Sequence, residues 1–221
     1  MESCRVWAPQ ARIVYASSRQ IYGRPRYLPV DERHPVDPVD FNGVHKWAAE
    51  CYHRLQARLY DQPTVVLRLT NVYGPRQSLR VSCQGFIATF IARALRREPV
   101  LVYGDGSQLR DMLYVDDVVE AFLLAGLTPL PSAEPYLVAN VGGPRPMTLS
   151  EIARTLVGDD VHYVPFPAIS ARIDIGSYHS DDRLFRAWTG WQPRVDFAEG
   201  IVRTLEFYRQ HAEHYLHGAV N

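Results

Sequence analysis

Residues 12–18 read RIVYASS, a short apolar run that ends in two small polar residues. A second run, TVVLRLT at residues 64–70, is rich in β-branched side chains, and such runs favour a buried strand. Between the two runs, residues 43–60 repeat apolar side chains at the spacing of one helix face. The order strand, helix, strand predicts an α/β fold built on a parallel sheet.

Helices and strands continue to alternate through the rest of the chain. We predict a loop at residues 71–75, a helix at 85–97, a strand at 100–103, a helix at 118–127, a strand at 136–141, a helix at 152–157 and a helical tail at 197–216. Asp116 and Asp117 are expected to start one helix with their carboxylates. The Thr148 to Glu151 segment forms a capping box for the next.

Three polar residues indicate where a ligand would bind. Ser17 and Ser18 end the first predicted strand, and Asn71 directly follows the second. Parallel α/β sheets bind their ligands just outside the carboxyl ends of the strands. We therefore expect the functional site at the edge of the sheet where these residues meet.

Composition narrows the class of protein. The 221 residues are 47% hydrophobic and 22% charged, as in soluble globular proteins. The 24 basic and 24 acidic side chains cancel, whereas nucleic-acid binders usually carry a basic excess. No apolar run is long enough to span a bilayer, and the first residues lack a secretory signal, so we expect a cytoplasmic protein. Cys4, Cys51 and Cys83 lack the spacing of a zinc site and are expected to be free thiols.

One phosphate-binding pattern does not occur in the sequence. Neither G-x-G-x-x-G nor G-x-x-G-x-x-G is found, although such loops bring backbone N–H groups against the pyrophosphate of a dinucleotide. The first strand begins near residue 12, where a complete doubly wound fold would already contain several strands, and residues 1–6 read as the end of a helix. We therefore expect a chain that lacks the first strands of its fold.

Six short segments, taken in order, carry a family resemblance. They are ASS and YG within residues 16–23, GVHK and E within 43–50, RLTNVYGPR at 68–76, GDG, RD and YVDD within 104–117, NVGG at 140–143 and GWQP at 190–193. Together they resemble the extended short-chain dehydrogenase/reductases that act on nucleotide sugars, the NAD-dependent epimerases and dehydratases similar to UDP-glucose 4-epimerase.

The resemblance implies a Rossmann-like parallel sheet, incomplete because its first strands are absent, with a small C-terminal α/β substrate-binding lobe. Residues 1–75 would form a partial NAD-binding domain with a remnant of the catalytic segment. Residues 76–221 would mainly form the nucleotide-sugar-binding lobe, with residues 100–142 returning partly to the main sheet. The resemblance also implies a homodimer formed through the helix at residues 43–60.

The family's chemistry begins with hydride transfer from a sugar carbon, usually C4, to NAD, which produces a keto intermediate. Epimerases return the hydride to the other face, and dehydratases first lose water. A tyrosinate base, a lysine four residues later and a Ser or Thr normally serve the oxidation. By resemblance, Ser18 is the catalytic hydroxyl and Lys46 the motif lysine, while Ala16, Ser17 and Lys46 contact the cofactor.

Asn42 stands where the family has its catalytic tyrosine. An amide does not ionise near neutral pH and so is not a general base. Either another group accepts the proton or the site is inactive. The alternative bases are Tyr22, Tyr15, His45 and Lys46. We rank Lys46 acting with Ser18 first, since a desolvated lysine loses its proton more readily.

The residues that follow Ser18 bear on the reaction. In related 4,6-dehydratases an Asp-Glu pair at this point performs the elimination, whereas this chain has Arg19 and Gln20. Because Gln20 has no proton to give to a leaving hydroxyl, we favour an epimerase. An unusual dehydratase stays open.

Three residues resemble substrate ligands of the family. Asn71 matches the residue that holds the sugar diphosphate, and Arg110 matches the arginine that binds the nucleotide diphosphate through paired charged hydrogen bonds. Arg172 matches a second arginine from the C-terminal lobe. We expect an NAD-dependent 4-epimerase of a nucleotide-diphospho sugar, impaired by the lack of the glycine-rich loop. The alternative is a non-catalytic nucleotide-sugar-binding or interaction remnant; Arg110 and Asn71 argue against an apolar carbonyl substrate.

Overall fold

The computed structural model describes residues 1–79 and 85–215, without the side chains of residues 169 and 170. The helices in these ranges are α1 Glu2–Trp7, α2 Phe41–Tyr60, α3 Phe86–Leu95, α4 Val115–Leu127, α5 Leu149–Val157, α6 Ala168–Ile173, α7 Arg183–Thr189, α8 Phe197–Gln210 and α9 Ala212–Tyr215. The strands are β1 Ile13–Ser18, β2 Thr64–Leu69, β3 Asn71–Tyr73, β4 Val100–Tyr103, β5 Leu109–Tyr114, β6 Tyr136–Val141, β7 Pro146–Thr148 and β8 Val161–Val164. A 3-10 turn, Arg19–Tyr22, follows β1 directly.

The main sheet has the order β1-β2-β6, with both pairings parallel. Val65, Val66 and Leu67 in the central strand are fully buried, because α2 and α4 both pack against these strands. Ser18 pairs in register with Leu69, and Leu69 with Val141, so the three strands end together. The predicted α/β fold with a Rossmann-like parallel sheet is confirmed.

A second sheet holds the order β3-β5-β7, with β3 parallel and β7 antiparallel to β5. The loop predicted at residues 71–75 was wrong for its first three residues, because Asn71–Tyr73 pairs with Met112–Tyr114 of β5. A strand of three residues exists only through such a partner, and the sequence reasoning had missed β5. Strand β4 pairs with β8. The proposed division at residues 75 and 76 stays a prediction.

The two predicted helix starts behave differently. Thr148 and Glu151 form the complete capping box at the start of α5, as predicted. Helix α4 begins at Val115, with Asp116 and Asp117 in its first turn as predicted. No side chain caps the helix, so the expected hydrogen bonds from these carboxylates to its first N–H groups were wrong. The buried Asp117 carboxylate instead accepts the backbone N–H groups of residues 194 and 195, each at 3.1 Å. It therefore fastens the segment before α8 to α4.

The remaining boundaries agree with prediction to within a few residues. The C-terminal tail forms α8 and α9, and predictions for Cys83 and Leu216 lie outside the described residues. Helices α3, α5 and α8 cover strands β4 and β5 around a core that includes Ile91, Ile152 and Tyr208. In the part of the chain that the structure describes, no helix combines the length and apolar character needed to cross a membrane.

Gly43 lets the start of α2 approach the turn that follows β1. A Cβ at this position would lie 2.6 Å from the Gln20 carbonyl oxygen and 2.9 Å from the Pro38 Cβ. We expect Gly43→Ala to lower the free energy of unfolding by about 1–3 kcal/mol, as overpacking does, measured by urea denaturation. Gly126→Ala is the matched control, since a Cβ there meets nothing within 4 Å and alanine favours a helix. Equal stability of the two variants would contradict this contact.

Candidate active site

The site forms where the carboxyl end of β1 meets the segment that follows β2. Asn71 comes two residues after Leu69, the register partner of Ser18. The Arg19 Nη2 donates a hydrogen bond of 3.1 Å to the Asn71 Oδ1 and so joins the two segments. The structure therefore brings Ser18 and Asn71 to the same edge of the sheet, as the sequence predicted.

Helix α2 carries Lys46 to this edge. Asp40 caps the helix by accepting the Gly43 N–H at 2.7 Å, and Lys46 follows one turn later. The Lys46 Nζ donates 2.7 Å to the Ala16 carbonyl oxygen of β1 and lies 5.3 Å from the centre of the Tyr15 ring. An ammonium has three donors, and Ala16 supplies its one hydrogen-bond acceptor among the described residues. Donors therefore remain for a ligand.

The Gln20 amide connects the residues around Ser18. Its Oε1 accepts from the Ser18 Oγ at 3.3 Å and from the Asn42 Nδ2, and its Nε2 donates 2.9 Å to Asp40. The Gln20 backbone N–H also donates 3.2 Å to the Ser18 Oγ. Since an amide does not ionise near neutral pH, these bonds orient Ser18 and Asn42, and Gln20 is not a general acid or base.

Two of the alternative bases are poorly placed. Tyr22 is fully buried, donates 2.7 Å to Asn140 and accepts 2.9 Å from Arg68. Burial raises the pKa of Tyr22 to about 12, so its phenol stays protonated at neutral pH. Burial also raises the pKa of Tyr15, whose ring packs 4.6 Å from His53, centre to centre. His45 is exposed on α2.

A buried ion pair fixes α2 to the main sheet. Glu50 and Arg68 are 1% and 5% exposed, and the Arg68 Nη2 lies 2.8 Å from the Glu50 Oε2. Ser17 donates its hydroxyl proton to the same carboxylate, so its side chain faces this pair and only its backbone stays a candidate for cofactor contact. The sequence did carry a signal for this pair. Arg68 is a charged residue in the apolar strand β2, and because charges are rarely buried unpaired, it predicts a buried partner.

Asp111 lies beside Asn71 and accepts hydrogen bonds from several chain segments. Its backbone oxygen accepts from the Asn71 Nδ2 at 3.2 Å and from the Thr70 Oγ1 at 3.0 Å. Its carboxylate accepts the N–H groups of Ser180 at 3.2 Å and Gly143 at 3.4 Å. Burial raises the pKa of this carboxyl, although the hydrogen bonds that it accepts act to lower it. Asp111 therefore joins three chain segments and was missed as a site residue from the sequence.

The two arginines predicted to bind the diphosphate differ in setting. Arg110 is 7% exposed, donates 2.7 Å to the Leu109 carbonyl oxygen and lies 3.7 Å from Asp174. Burial, and then the nearby charge of Arg19, lower the pKa of Arg110 to about 10. Arg172 is exposed on α6. Within residues 1–79 and 85–215 its side chain makes no hydrogen bond or ion pair, so the structure does not join it to the cluster.

Comparison with known proteins identifies the family. The family model described as "NAD dependent epimerase/dehydratase family" matches residues 1–142. The chain belongs to this family. It is 33% identical over 208 residues to the UDP-glucose 4-epimerase of Mycolicibacterium smegmatis, covering 91% of this chain and 64% of that protein. It is 29% identical over 215 residues to human dTDP-D-glucose 4,6-dehydratase, covering 92% and 59%.

A solved structure agrees with this assignment. The UDP-glucose 4-epimerase of Thermotoga maritima, solved with UDP-glucose, superposes with a TM-score of 0.81 at 30% identity, covering 96% of this chain and 67% of that one. The chain spans less than two thirds of the two curated relatives, 64% and 59% of their lengths. The resemblance on which the sequence predictions rest is confirmed, while the roles given to single residues stay predictions.

Proposed function

We propose that this chain acts on a nucleotide-diphospho sugar in an NAD-dependent reaction, with 4-epimerisation through a keto sugar as the best-supported one. The observation that carries the proposal is the 2.7 Å bond from Lys46 to the Ala16 carbonyl oxygen. It holds the motif lysine over the end of the strand that also carries Ser18. The family's lysine and hydroxyl would act together at such a point.

The donor set fits one end of NAD. The spare N–H donors of Lys46 suit the hydroxyls of the nicotinamide ribose, and the backbone of Ala16 and Ser17 would border it. When bound, NAD accepts a hydride from the sugar. The sequence has no glycine-rich loop to bind the pyrophosphate, and this supports weak cofactor binding by the chain.

Proton removal from the sugar hydroxyl falls to Ser18 and Lys46 in this proposal. The Asn42 amide has no suitable ionisation, and Tyr22 is buried with a raised pKa. Ser18 would share the hydroxyl proton and pass it towards Lys46, which must then be a neutral amine. A neutral amine still has a donor for the Ala16 carbonyl oxygen, so the anchoring bond is kept.

The contacts of Gln20 favour epimerisation over dehydration. Elimination of water needs an acid near the leaving hydroxyl, and the Gln20 amide is bound on both ends by Asp40, Ser18 and Asn42. An unusual dehydratase would need another acid. The second candidate function, a non-catalytic nucleotide-sugar binder, is supported by Asn42 in place of tyrosine and by the absent glycine-rich pattern.

Calorimetric titration tests the proposal. The purified chain is titrated separately with NAD, UDP-glucose and UDP-N-acetylglucosamine, and mixtures are then analysed for epimerised or dehydrated sugar. Binding of NAD and sugar nucleotide with epimerised product supports the enzyme. Sugar-nucleotide binding without NAD binding supports the non-catalytic alternative. Binding of no sugar nucleotide would overturn both.

We also propose that the chain forms a homodimer through α2. One face of this helix exposes Phe41, Tyr52, Leu55 and Leu59, which are 85%, 65%, 54% and 68% accessible. Apolar residues repeated at this spacing form a stripe along one side of a helix. Exposed apolar stripes of this kind mark protein interfaces.

A charge on the stripe should separate the subunits. We expect Leu55→Asp to convert a dimer into a monomer, because a dimer would bury the new carboxylate without a partner. Sedimentation velocity of the wild-type and variant chains measures this. Val202→Asp is the control, since Val202 is 62% exposed on α8. A monomeric wild-type chain, or a dimeric Leu55→Asp variant, would contradict the proposal.

A further inference from the structure

Arg19 lies inside the site and has no role in the proposed reaction. Its side chain is partly buried, and its Nη2 donates 3.1 Å to the Asn71 Oδ1. The guanidinium carbon lies 5.1 Å from the centre of the Tyr178 ring, within the range of a cation–π contact. One hydrogen bond and one ring therefore hold the guanidinium, which has further N–H donors to offer.

The charge of Arg19 lacks an ion pair. The carboxylates of Asp111, Asp40 and Asp174 attract it, but burial outweighs them and lowers the pKa of Arg19. Among the described residues, no carboxylate oxygen lies within 4.0 Å of this guanidinium. Desolvating a cation without a partner is costly, so an anion bound here would be stabilised.

Each nearby carboxylate is already committed to another group. Asp40 accepts from Gln20 at 2.9 Å and caps α2. Asp111 accepts backbone N–H groups, including that of Ser180 at 3.2 Å. Asp174 accepts the Gly176 N–H at 3.1 Å and lies 3.7 Å from Arg110. Turning one of them to Arg19 would break these contacts, so the missing anion is expected from a ligand.

We propose that Arg19 binds the sugar carboxylate of a nucleotide-diphospho-hexuronic acid. This inference rests on the proposed function, which puts the reacting sugar hydroxyl at Ser18, the residue next to Arg19. Arg19 directly follows Ser18, the residue matched to the reacting hydroxyl, and bonds Asn71, which is matched to the sugar diphosphate. Its guanidinium would therefore lie between the reacting hydroxyl and the diphosphate of the same ligand. A planar guanidinium held by a ring and an amide offers the paired donors that match a carboxylate.

Paired titrations test the assignment. The chain is titrated with UDP-glucuronic acid and with UDP-glucose, which differ only in the carboxylate at C6. We expect the wild-type chain to bind the hexuronate at least about tenfold more tightly, the effect of one charged hydrogen-bonded pair. In Arg19→Gln this ratio should fall to about one, and Arg19→Lys should give an intermediate ratio because the paired geometry is lost. Arg58→Gln, at an exposed site on α2, should keep the wild-type ratio.

The outcomes separate this inference from the proposed function. If both ligands bind with equal affinity, the proposed function survives and the role of Arg19 is overturned. A preference that persists in Arg19→Gln also overturns it, and so does an equal weakening of both ligands, which would place Arg19 at the diphosphate. If neither ligand binds, the proposed function itself fails. Circular dichroism confirms that each variant is folded before its ratio is compared.

Discussion

Replacing Glu50 with alanine is expected to lower the free energy of unfolding by about 3–5 kcal/mol, the usual cost of breaking a buried ion pair. The change leaves the Arg68 guanidinium, 5% exposed, without its carboxylate. It also removes the acceptor of the Ser17 hydroxyl. Urea denaturation followed by circular dichroism measures the loss.

Two further variants decide whether the ion pair is the cause. Glu199→Ala breaks an exposed pair with Arg203 on α8 and should change stability little, because water already screens such pairs. Glu50→Met combined with Arg68→Met should recover much of the loss, since no buried charge is left unpaired. A Glu50→Ala chain as stable as Glu199→Ala would show that the buried pair contributes little.

Replacing Lys46 with methionine is expected to weaken NAD binding about 2- to 10-fold, the effect of losing one hydrogen bond. Any turnover should fall by a further factor of about 10²–10⁴, as for loss of a group that moves the reacting proton. Methionine keeps an unbranched side chain but removes the donor to Ala16. Calorimetry and product analysis measure the two effects.

His45→Ala is the matched control for Lys46→Met. His45 is the neighbouring residue on α2 and is exposed, so its loss should alter neither binding nor turnover. Unchanged NAD affinity in Lys46→Met would remove the lysine from the cofactor site. A fall in activity of His45→Ala that matched Lys46→Met would instead point to His45 as the base or to a general effect of changing this helix.

Local patterns in the sequence predicted the main sheet well. Strands β1, β2 and β6 are nearly continuous apolar runs, as expected for parallel strands covered on both faces. The capping box at α5 was likewise visible, because Thr148 and Glu151 bond to each other's backbone over three residues. Strand β5 was missed because it contains Arg110 and Asp111, two charges that a buried strand rarely tolerates.

The sequence predicted only those site residues that lie within its family motifs. Lys46 and Ser18 were found by their positions in known segments, but Arg19 was noted only as a departure from the dehydratase pair. Its partners, Asn71 and Tyr178, lie far away in the chain. Which distant residues meet a side chain depends on how the sheets and helices pack, and hydrophobic periodicity does not report this.

The buried contacts of Glu50 fix α2, the helix that carries Lys46, to the main sheet. This residue holds α2 to all three strands of the main sheet, through Ser17 of β1, Arg68 of β2 and a 3.4 Å bond from Tyr136 of β6. These buried contacts therefore fix the position of α2, and with it the position of Lys46. The contacts of Arg19 are with Asn71 and Tyr178 rather than with Glu50, so a substitution at Arg19 should leave the position of Lys46 unchanged.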